Sequence, residues 1–163
     1  MASTWSPRRR WKYDVFLSFR GEDTRETFIC HLYHALTAKG IITFIDDESL
    51  ERGSTIGPSL FTAIQDSSIA LVVLSKNFAS SSWCLDELSK IIQCKVERRQ
   101  IVIPIFYKVS PSDVRYQNGS FQLRTVEVRE HEEVYGDKDQ LKVWSDALRR
   151  VSHLSGYDSR KYG

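Results

Sequence analysis

Hydrophobic positions divide this chain into short apolar runs that alternate with amphipathic stretches. Four runs have the length and composition of β-strands: Tyr13–Phe19, Ile41–Ile45, Ile69–Leu74 and Ile101–Phe106. The third run is continuously apolar, which is typical of a strand buried on both faces. The fourth contains Pro104, whose missing N–H predicts a sheet edge or a bulge at that position. A weak fifth strand is expected near residues 153–157.

The stretches between these runs have apolar residues at helical spacing. Asp23 or Thr24 is expected to cap the first helix, and Gly40 to end it. Ser110–Asp113 is interpreted as a turn. Further helices are predicted from Pro58, from Trp83 to about Arg98, near residues 124–133, and around Leu141, Trp144, Leu148 and Val151. Alternating strands and helices with short links predict a flavodoxin-like, doubly wound α/β fold. It would contain a parallel sheet of four to five strands with helices on both faces.

Composition indicates a single globular domain. Of 163 residues, 41% are hydrophobic and 27% are charged, which is ordinary for such a protein. We expect the domain to span 12–157, between a basic N-terminal tail (1–11) and a short C-terminal tail (158–163). The net charge of +2 demands neither nucleic acid nor a membrane as a partner. The run Arg8–Arg10 is interpreted as a solvated tail, with a nucleic-acid-binding arm as the alternative.

Location is indicated by what the sequence does not contain. No apolar run approaches the roughly 18 residues of a membrane span, and no signal-peptide pattern follows the N-terminal arginines. The three cysteines form no CxxC pair, and Cys84 and Cys94 have no histidine nearby in the sequence, so no metal site is expected. They fit a reducing compartment, which predicts a cytoplasmic protein without membrane contact.

The segment Ser80–Leu88 combines three serines, a tryptophan and two carboxylates. On a helix, Asp86 would point away from the sheet into water, where its charge favours the positive helix end. Glu87 would lie at the border of the buried face, one turn beyond Trp83. Helix geometry therefore selects Glu87 as the carboxylate for chemistry. The alternative is a boundary residue that makes an ordinary surface ion pair.

Several polar loops follow the predicted strands. Arg20 follows the first strand, Asp46 the second, and Trp83 and Glu87 begin the helix after the third. In an open α/β sheet, ligands bind outside the carboxyl ends of the strands, so these residues should meet at one cleft. The cleft would then contain a cation, an aromatic ring, hydroxyls and a carboxylate. Such a set suits an anionic ligand with a planar ring, such as a nucleotide. The sequence contains neither GxGxxG nor a P-loop.

Four ordered blocks resemble plant TIR (Toll/interleukin-1 receptor) domains. The blocks are Tyr13–Arg25, Thr43–Asp47 continuing to Leu50–Gly53, Ser75–Leu88, and Pro104–Tyr107 with Pro111–Arg115. The resemblance covers about residues 12–157. It implies the N-terminal signalling domain of a plant nucleotide-binding, leucine-rich-repeat disease-resistance receptor, or a TIR-only relative. Such domains self-associate and cleave NAD⁺ to nicotinamide and ADP-ribose or cyclic ADP-ribose-type products, which triggers defence and cell death.

The resemblance also implies roles for individual residues. The catalytic glutamate of the family maps onto Glu87. The nucleotide-contacting positions map onto Phe19, Arg20, Gly21, Ser81 and Trp83. Asp46 maps onto the start of a flexible loop that shapes the cleft. NAD⁺ or NADP⁺ would be the substrate, with no separate cofactor. Expected partners are other TIR domains, in a homo-oligomer, and the remainder of a receptor chain.

The chain departs from the family where that family self-associates. Cys30-His31 replaces a common Ser-His pair on the first helix, and Gln122 replaces a common glycine after Gly119 and Ser120 in a second contact region. Lys108 stands where an acidic residue is usual. These departures concern assembly and not the cleft. Two alternatives to catalysis remain open: a scaffold that signals through TIR–TIR contacts alone, and a nucleic-acid-acting domain.

Overall fold

The computed structural model describes residues 11–45, 58–123 and 138–161. The strands are β1 Tyr13–Ser18, β2 Thr43–Ile45, β3 Ser67–Leu74, β4 Ile101–Phe106 and β5 Tyr157–Asp158. The α-helices are α1 Gly21–Thr24, α2 Cys30–Ala38, α3 Pro58–Gln65, α4 Ser82–Arg98, α5 Pro111–Tyr116 and α6 Lys138–Ser152, with a π-helical turn, Arg25–Ile29, between α1 and α2. The predicted helix near 124–133, the arginine run Arg8–Arg10 and Asp46 lie outside the described residues.

The sheet has five strands in the order β2-β1-β3-β4-β5, and every pairing is parallel. This order confirms the predicted flavodoxin-like fold. Strand order reverses at β1 and β3, where Ser18 at the end of β1 lies opposite Val72. The loops that follow β1 and β3 therefore leave the sheet side by side, and this is the position at which such folds bind ligands.

Two hydrophobic cores lie on opposite faces of the sheet because alternate residues of a strand point to opposite sides. Phe16 of β1 belongs to the larger core, which contains the buried faces of α3, α4, α5 and α6. Val15 and Leu17 belong to the smaller core, with Ile29 and the residues packed around it. Each fully buried Leu, Ile or Phe side chain contributes about 1.5–3 kcal/mol of transfer free energy. The prediction of helices on both faces is confirmed.

The first helix begins earlier than predicted. It starts at Gly21, with Arg20 at the N-cap position, so neither Asp23 nor Thr24 is the cap. Asp23 instead bonds to the loop after β3, and the Thr24 hydroxyl donates to the Arg20 carbonyl at 3.1 Å. A long-range contact therefore overrides the local preference of aspartate for a helix start.

The segment Ser110–Asp113, interpreted as a turn, begins the short helix α5. Ser110 is its N-cap, and its hydroxyl accepts from the Ser112 amide at 3.3 Å. Pro111 at the first helical position has no amide hydrogen to leave unpaired. A serine followed by a proline is thus as consistent with a helix start as with a turn, and the structure shows the helix.

The predicted helix end at Gly40 is confirmed, whereas the predicted sheet edge at Pro104 holds only locally. Gly40 ends the first helical segment with a φ of +75°, a conformation that side chains with a Cβ rarely adopt. At Pro104, β4 pairs with Val72 of β3, whereas β5 joins β4 only from Ile105 onward. Pro104 is therefore not on an edge strand, but it lies just before the pairing of β4 with β5 begins, so its missing N–H removes no hydrogen bond of that pairing.

Candidate active site

Helix α4 begins at the carboxyl end of β3 and is capped by Ser81. The Ser81 hydroxyl accepts a hydrogen bond from the Cys84 amide at 3.1 Å, and its backbone is extended, as an N-cap residue requires. A cap of this kind is worth about 1 kcal/mol of helix stability. Buried residues Leu85 and Leu88 hold α4 against the sheet, so the first turn of the helix has a fixed position.

Glu87 is buried in this first part of α4, with only 1% of its surface exposed. The Ser18 hydroxyl donates to its Oε1 atom at 2.9 Å, and the Trp83 indole N–H donates to its Oε2 atom at 2.9 Å. Removing a carboxylate from water costs free energy unless hydrogen bonds replace those to water. Here Ser18 donates to one oxygen and Trp83 to the other. Glu87 is therefore not at the border of the buried face, and the surface ion pair considered above is wrong.

Ser18 is a site residue that the sequence reasoning missed. It is the last residue of β1 and is 0% exposed. It shares a face of the strand with Phe16, and α4 packs on that face. Buried hydroxyls in native proteins nearly always have a hydrogen-bond partner, so a serine within an apolar strand could have indicated a polar group opposite it.

Asp86 does not point into water as predicted. It is half-buried, and the indole N–H of Trp144 in α6 donates to its Oδ1 atom at 2.9 Å. Burial raises the pKa of Asp86 above its ordinary value, and the hydrogen bond from Trp144 offsets part of that rise. The prediction was wrong because a helical projection shows which face of α4 meets the sheet but not which face a later helix covers.

The loop after β1 lies directly against α4. The Cys84 thiol donates to the Phe19 carbonyl at 3.5 Å, which links the two segments at the backbone. The Phe19 ring is buried in the smaller core, and the Arg25 guanidinium lies 5.1 Å from its centre. Phe19 therefore lines this region through its main chain, with its ring turned into the protein.

Arg20 and Gly21 form the junction between β1 and α1. The Arg20 side chain is 21% exposed and makes a 3.2 Å ion pair with the exposed Glu22. Exposed ion pairs are worth about 0–1 kcal/mol, so a phosphate could replace Glu22 at little cost. A Cβ at Gly21 would lie 3.1 Å from Arg25 Nε, so a larger residue there would crowd that guanidinium.

Asp23 joins the two loops of the cleft. Its carboxylate accepts from the Ser75 hydroxyl at 2.5 Å and from the Asn77 amide and side chain, both at 2.7 Å. Burial alone would raise the pKa of Asp23, but these hydrogen bonds and the charge of Arg20 hold it below its ordinary value. The sequence reasoning did not identify this contact, which holds the α1 segment against the loop that leads to α4.

The predicted site residues thus fall into two groups. Phe19, Arg20 and Gly21 follow Ser18, which bonds to Glu87, and the Phe19 carbonyl accepts from Cys84 in the first turn of α4, beside Ser81 and Trp83. Asp46 lies outside the described residues. The residues predicted for self-association lie on the surface in two separate segments. The turn that contains Gly119 and Ser120 packs against the turn Phe78–Ser80, which comes just before Ser81. Cys30 and His31 are exposed on the first turn of α2, and Gly119 and Ser120 are exposed in a 3₁₀ turn after α5.

The described residues show neither a cluster of metal ligands nor a membrane-spanning helix. In residues 11–45, 58–123 and 138–161, no three His, Cys, Asp or Glu side chains converge as a metal site would require. None of the helices described there is long and apolar enough to cross a bilayer. A separate cavity of about 500 Å³ lies between the end of α5 and α6, beside Gln117, Ser145 and Arg149, and it does not include Glu87.

These features define a flavodoxin-like α/β domain with a candidate ligand site at its strand-order reversal, built around a buried, hydrogen-bonded glutamate. Comparison with known proteins gives the family. The chain belongs to the TIR domain family, whose family model matches residues 12–162.

Plant disease-resistance proteins are among its close relatives. The TMV resistance protein N of Nicotiana glutinosa is 52% identical over 157 residues, which are 96% of this chain and 13% of that protein. The disease resistance-like protein DSC2 of Arabidopsis thaliana is 49% identical over 155 residues, covering 94% of this chain and 12% of that protein. The chain thus spans about an eighth of the length of these relatives.

A solved structure agrees with the fold. The TIR domains of the activated Roq1 resistosome, a complex that directly recognises the pathogen effector XopQ, match with a TM-score of 0.78 and 47% sequence identity. The match covers 91% of this chain and 89% of that one. The chain is therefore a plant-type TIR domain in sequence and in fold.

Proposed function

We propose that this domain is an NAD⁺ nucleosidase whose activity depends on self-association and which acts in plant immune signalling. The bond between the nicotinamide nitrogen and C1′ of the ribose breaks, and its electron pair goes to nicotinamide, which leaves as a neutral molecule. Water adds to C1′ and releases a proton, so the products are nicotinamide, ADP-ribose and H⁺. Attack by a nitrogen of the adenine ring would give a cyclic product instead.

The observation that supports this proposal is the position of Glu87. Its carboxylate lies at the strand ends and accepts hydrogen bonds on both oxygens, from Ser18 to Oε1 and from Trp83 to Oε2. Hydrogen bonds to a carboxylate stabilise its ionised form. An ionised carboxylate beside the ribose would stabilise the oxocarbenium-like transition state, as in glycoside hydrolysis, or would hold the ribose hydroxyls.

Neighbouring residues have complementary proposed roles. Arg20 would exchange its ion pair with Glu22 for a phosphate of the dinucleotide, and Trp83 would form the wall beside nicotinamide or the ribose. Phe19, Gly21 and Ser81 would contact the nucleotide largely through main-chain atoms. Asp46 and its loop would shape the far side of the cleft. Because Glu87 is almost fully buried, substrate contact requires the Trp83 indole to move outward, and contact between TIR domains would favour that opening.

The test is nicotinamide release from NAD⁺ by the purified chain, at high concentration or on a crowding surface. Glu87→Gln keeps the size of the side chain and removes its charge, and release should fall by at least about a hundredfold. Glu97→Gln is the matched control, since it makes the same change at an exposed position of α4 and should keep parent activity. Absent release by the parent chain, or equal release by Glu87→Gln, would refute the proposal.

One observation favours a second candidate, a scaffold that signals only through TIR–TIR contacts. A nearly inaccessible carboxylate with both oxygens hydrogen-bonded is also what a purely structural glutamate shows. In that case a folded Glu87→Gln variant should still trigger cell death in plant leaf tissue. The nucleosidase proposal requires that this signal be lost while the fold and the self-association of the variant are retained.

The remaining parts of the proposal concern context. Relatives several times longer than this chain suggest that it works within a larger receptor, with other TIR domains as partners. The three cysteines are free thiols, two of them buried, which suits the reducing cytoplasm. Size-exclusion chromatography over a concentration series would test the self-association, and release of nicotinamide should rise with the oligomer fraction.

A further inference from the structure

The hydroxyl of Ser18 occupies a position that packing alone does not require. Ser18 lies on the larger-core face of β1, between the buried apolar residues of the sheet and α4. A hydroxyl placed among apolar groups costs free energy unless it is hydrogen-bonded. Its partner is Oε1 of Glu87, 69 residues later in the chain, at 2.9 Å. A buried hydrogen bond to Glu87 Oε1 thus joins the end of β1 to the first turns of α4, in addition to the contact of the Cys84 thiol with the Phe19 carbonyl.

The two donors to Glu87 differ in their surroundings. The bond from Ser18 is fully buried, and its donor belongs to a strand that is paired with both β2 and β3. The bond from Trp83 is part-buried, and its donor lies on the first turn of α4, four residues before Glu87. Oε1 is therefore the inner oxygen, held by the sheet, and Oε2 is the outer oxygen, nearer the cleft.

We propose that Ser18 is a positioning residue for the reaction: its hydroxyl holds Oε1 of Glu87 in place, so that Oε2 faces the ribose once the Trp83 indole moves aside. This inference rests on the proposed nucleosidase function. The terminal torsion of a glutamate side chain has a broad energy minimum, so a carboxylate without a fixed partner samples many orientations. One fixed oxygen restricts the plane of the group, and preorganised charge is what stabilises a transition state most effectively.

A positioning role predicts different effects on KM and on kcat. Ser18 is buried behind Glu87 and would not touch the nucleotide, so its removal should leave KM nearly unchanged. Loss of orientation acts in the transition state and should lower kcat. A hydrogen bond to a charged group accounts for about ten- to a hundredfold in rate.

The experiment compares Ser18→Ala, Ser18→Thr and Ser67→Ala with the parent chain. Ser67 is also a buried strand serine, but its hydroxyl donates to the Ala63 carbonyl at 2.7 Å, at the opposite ends of the strands from Glu87. Ser67→Ala is thus a matched loss of a buried hydroxyl. Ser18→Thr retains the hydroxyl and serves as the conservative rescue, and thermal unfolding identifies any variant that fails to fold.

We expect Ser18→Ala to lower kcat about ten- to a hundredfold with KM within about twofold, while Ser67→Ala keeps the parent kcat. Ser18→Thr should recover most of the rate.

Two results would overturn the inference and are distinguishable. If the parent chain releases nicotinamide and folded Ser18→Ala matches its kcat, Ser18 has no positioning role although the proposed function stands. If folded Ser18→Thr is as inactive as Ser18→Ala, the shape of the site and not the hydroxyl is what matters. Absent release by the parent itself would refute the proposed function first, and this inference with it.

Discussion

The indole N–H of Trp144 donates a 2.9 Å hydrogen bond to Asp86 Oδ1 and so joins α6 to α4, one residue before Glu87. Trp144 is buried in the larger core, and it lies 58 residues from Asp86 in the chain. The adjacent residues Asp86 and Glu87 therefore contact different parts of the protein. Glu87 faces the end of β1 at the candidate active site, while Asp86 fixes the last helix against the first turns of α4.

This contact predicts that Asp86→Asn and Asp86→Ala will differ in stability. Burial raises the pKa of Asp86, so between its ordinary value of 3.8 and the higher folded value the folded state binds more protons than the unfolded chain. Stability contributed by this group therefore falls as pH rises through that window. Asn keeps an acceptor for Trp144 without a buried charge and should be as stable as the parent or more stable at pH 7. Ala should cost about 1–3 kcal/mol.

Urea unfolding of both variants between pH 4 and pH 7 provides the measurement. The advantage of Asp86→Asn over the parent should shrink toward pH 4, where the parent carboxyl is itself more protonated. Equal destabilisation by Asn and Ala at pH 7 would show that the charge of Asp86, and not its hydrogen bond, supports the fold.

The contact of Asp23 with Ser75 and Asn77 predicts the opposite pH dependence. Hydrogen bonds hold the pKa of Asp23 below its ordinary value of 3.8, so its stabilising contribution is fully present above that pH. It is lost as pH falls through the lower folded value. Asp23→Asn introduces an NH₂ group that must face these donors and should cost about 1–2 kcal/mol at pH 7, allowing for partial solvent screening.

The control for this prediction is Asp146→Asn, which removes the charge from exposed ion pairs with Arg149 and Arg150. Exposed pairs contribute about 0–1 kcal/mol, so this variant should stay close to the parent. The quantity to compare is the free energy of unfolding at pH 7 and near pH 3, where the deficit of Asp23→Asn should diminish. A deficit that is constant with pH would rule out the charged contact as its cause.

Gly156 predicts a steric limit at the edge of the sheet. A Cβ at this position would lie 2.0 Å from the Pro104 carbonyl oxygen, which no real Cβ can do, so Gly156→Ala must displace β5 from β4. We expect a loss of about 3 kcal/mol or more and faster amide exchange at Tyr157 and Asp158. Gly40→Ala is the control, because its Cβ would meet nothing within 4 Å and only the positive φ costs about 1–2 kcal/mol. Similar losses in the two variants would contradict the steric explanation.

Much of the fold could be predicted from local pattern. The four main strands and the helix from Trp83 to Arg98 were located because apolar spacing along a strand or helix is a short-range property. The parallel sheet followed from strand–helix alternation. One error arose where a side chain has a distant partner: the first helix begins at Gly21, and Asp23 bonds to another loop. The other was a local ambiguity, because Ser110 and Pro111 suit a helix start as well as the turn that was predicted.

The candidate site also shows the difference between what local sequence pattern predicts and what only the tertiary structure decides. By itself, the sequence determined the sheet and the edge at which its polar loops meet, since both depend on periodicity and strand direction. It also predicted Glu87, and not Asp86, as the carboxylate for chemistry. Only the tertiary structure decided that Ser18 bonds to Glu87, Trp144 to Asp86 and Ser75 to Asp23, across 69, 58 and 52 residues. A hydrogen bond is specified to within a few tenths of an ångström, and such precision exists only after both cores have packed.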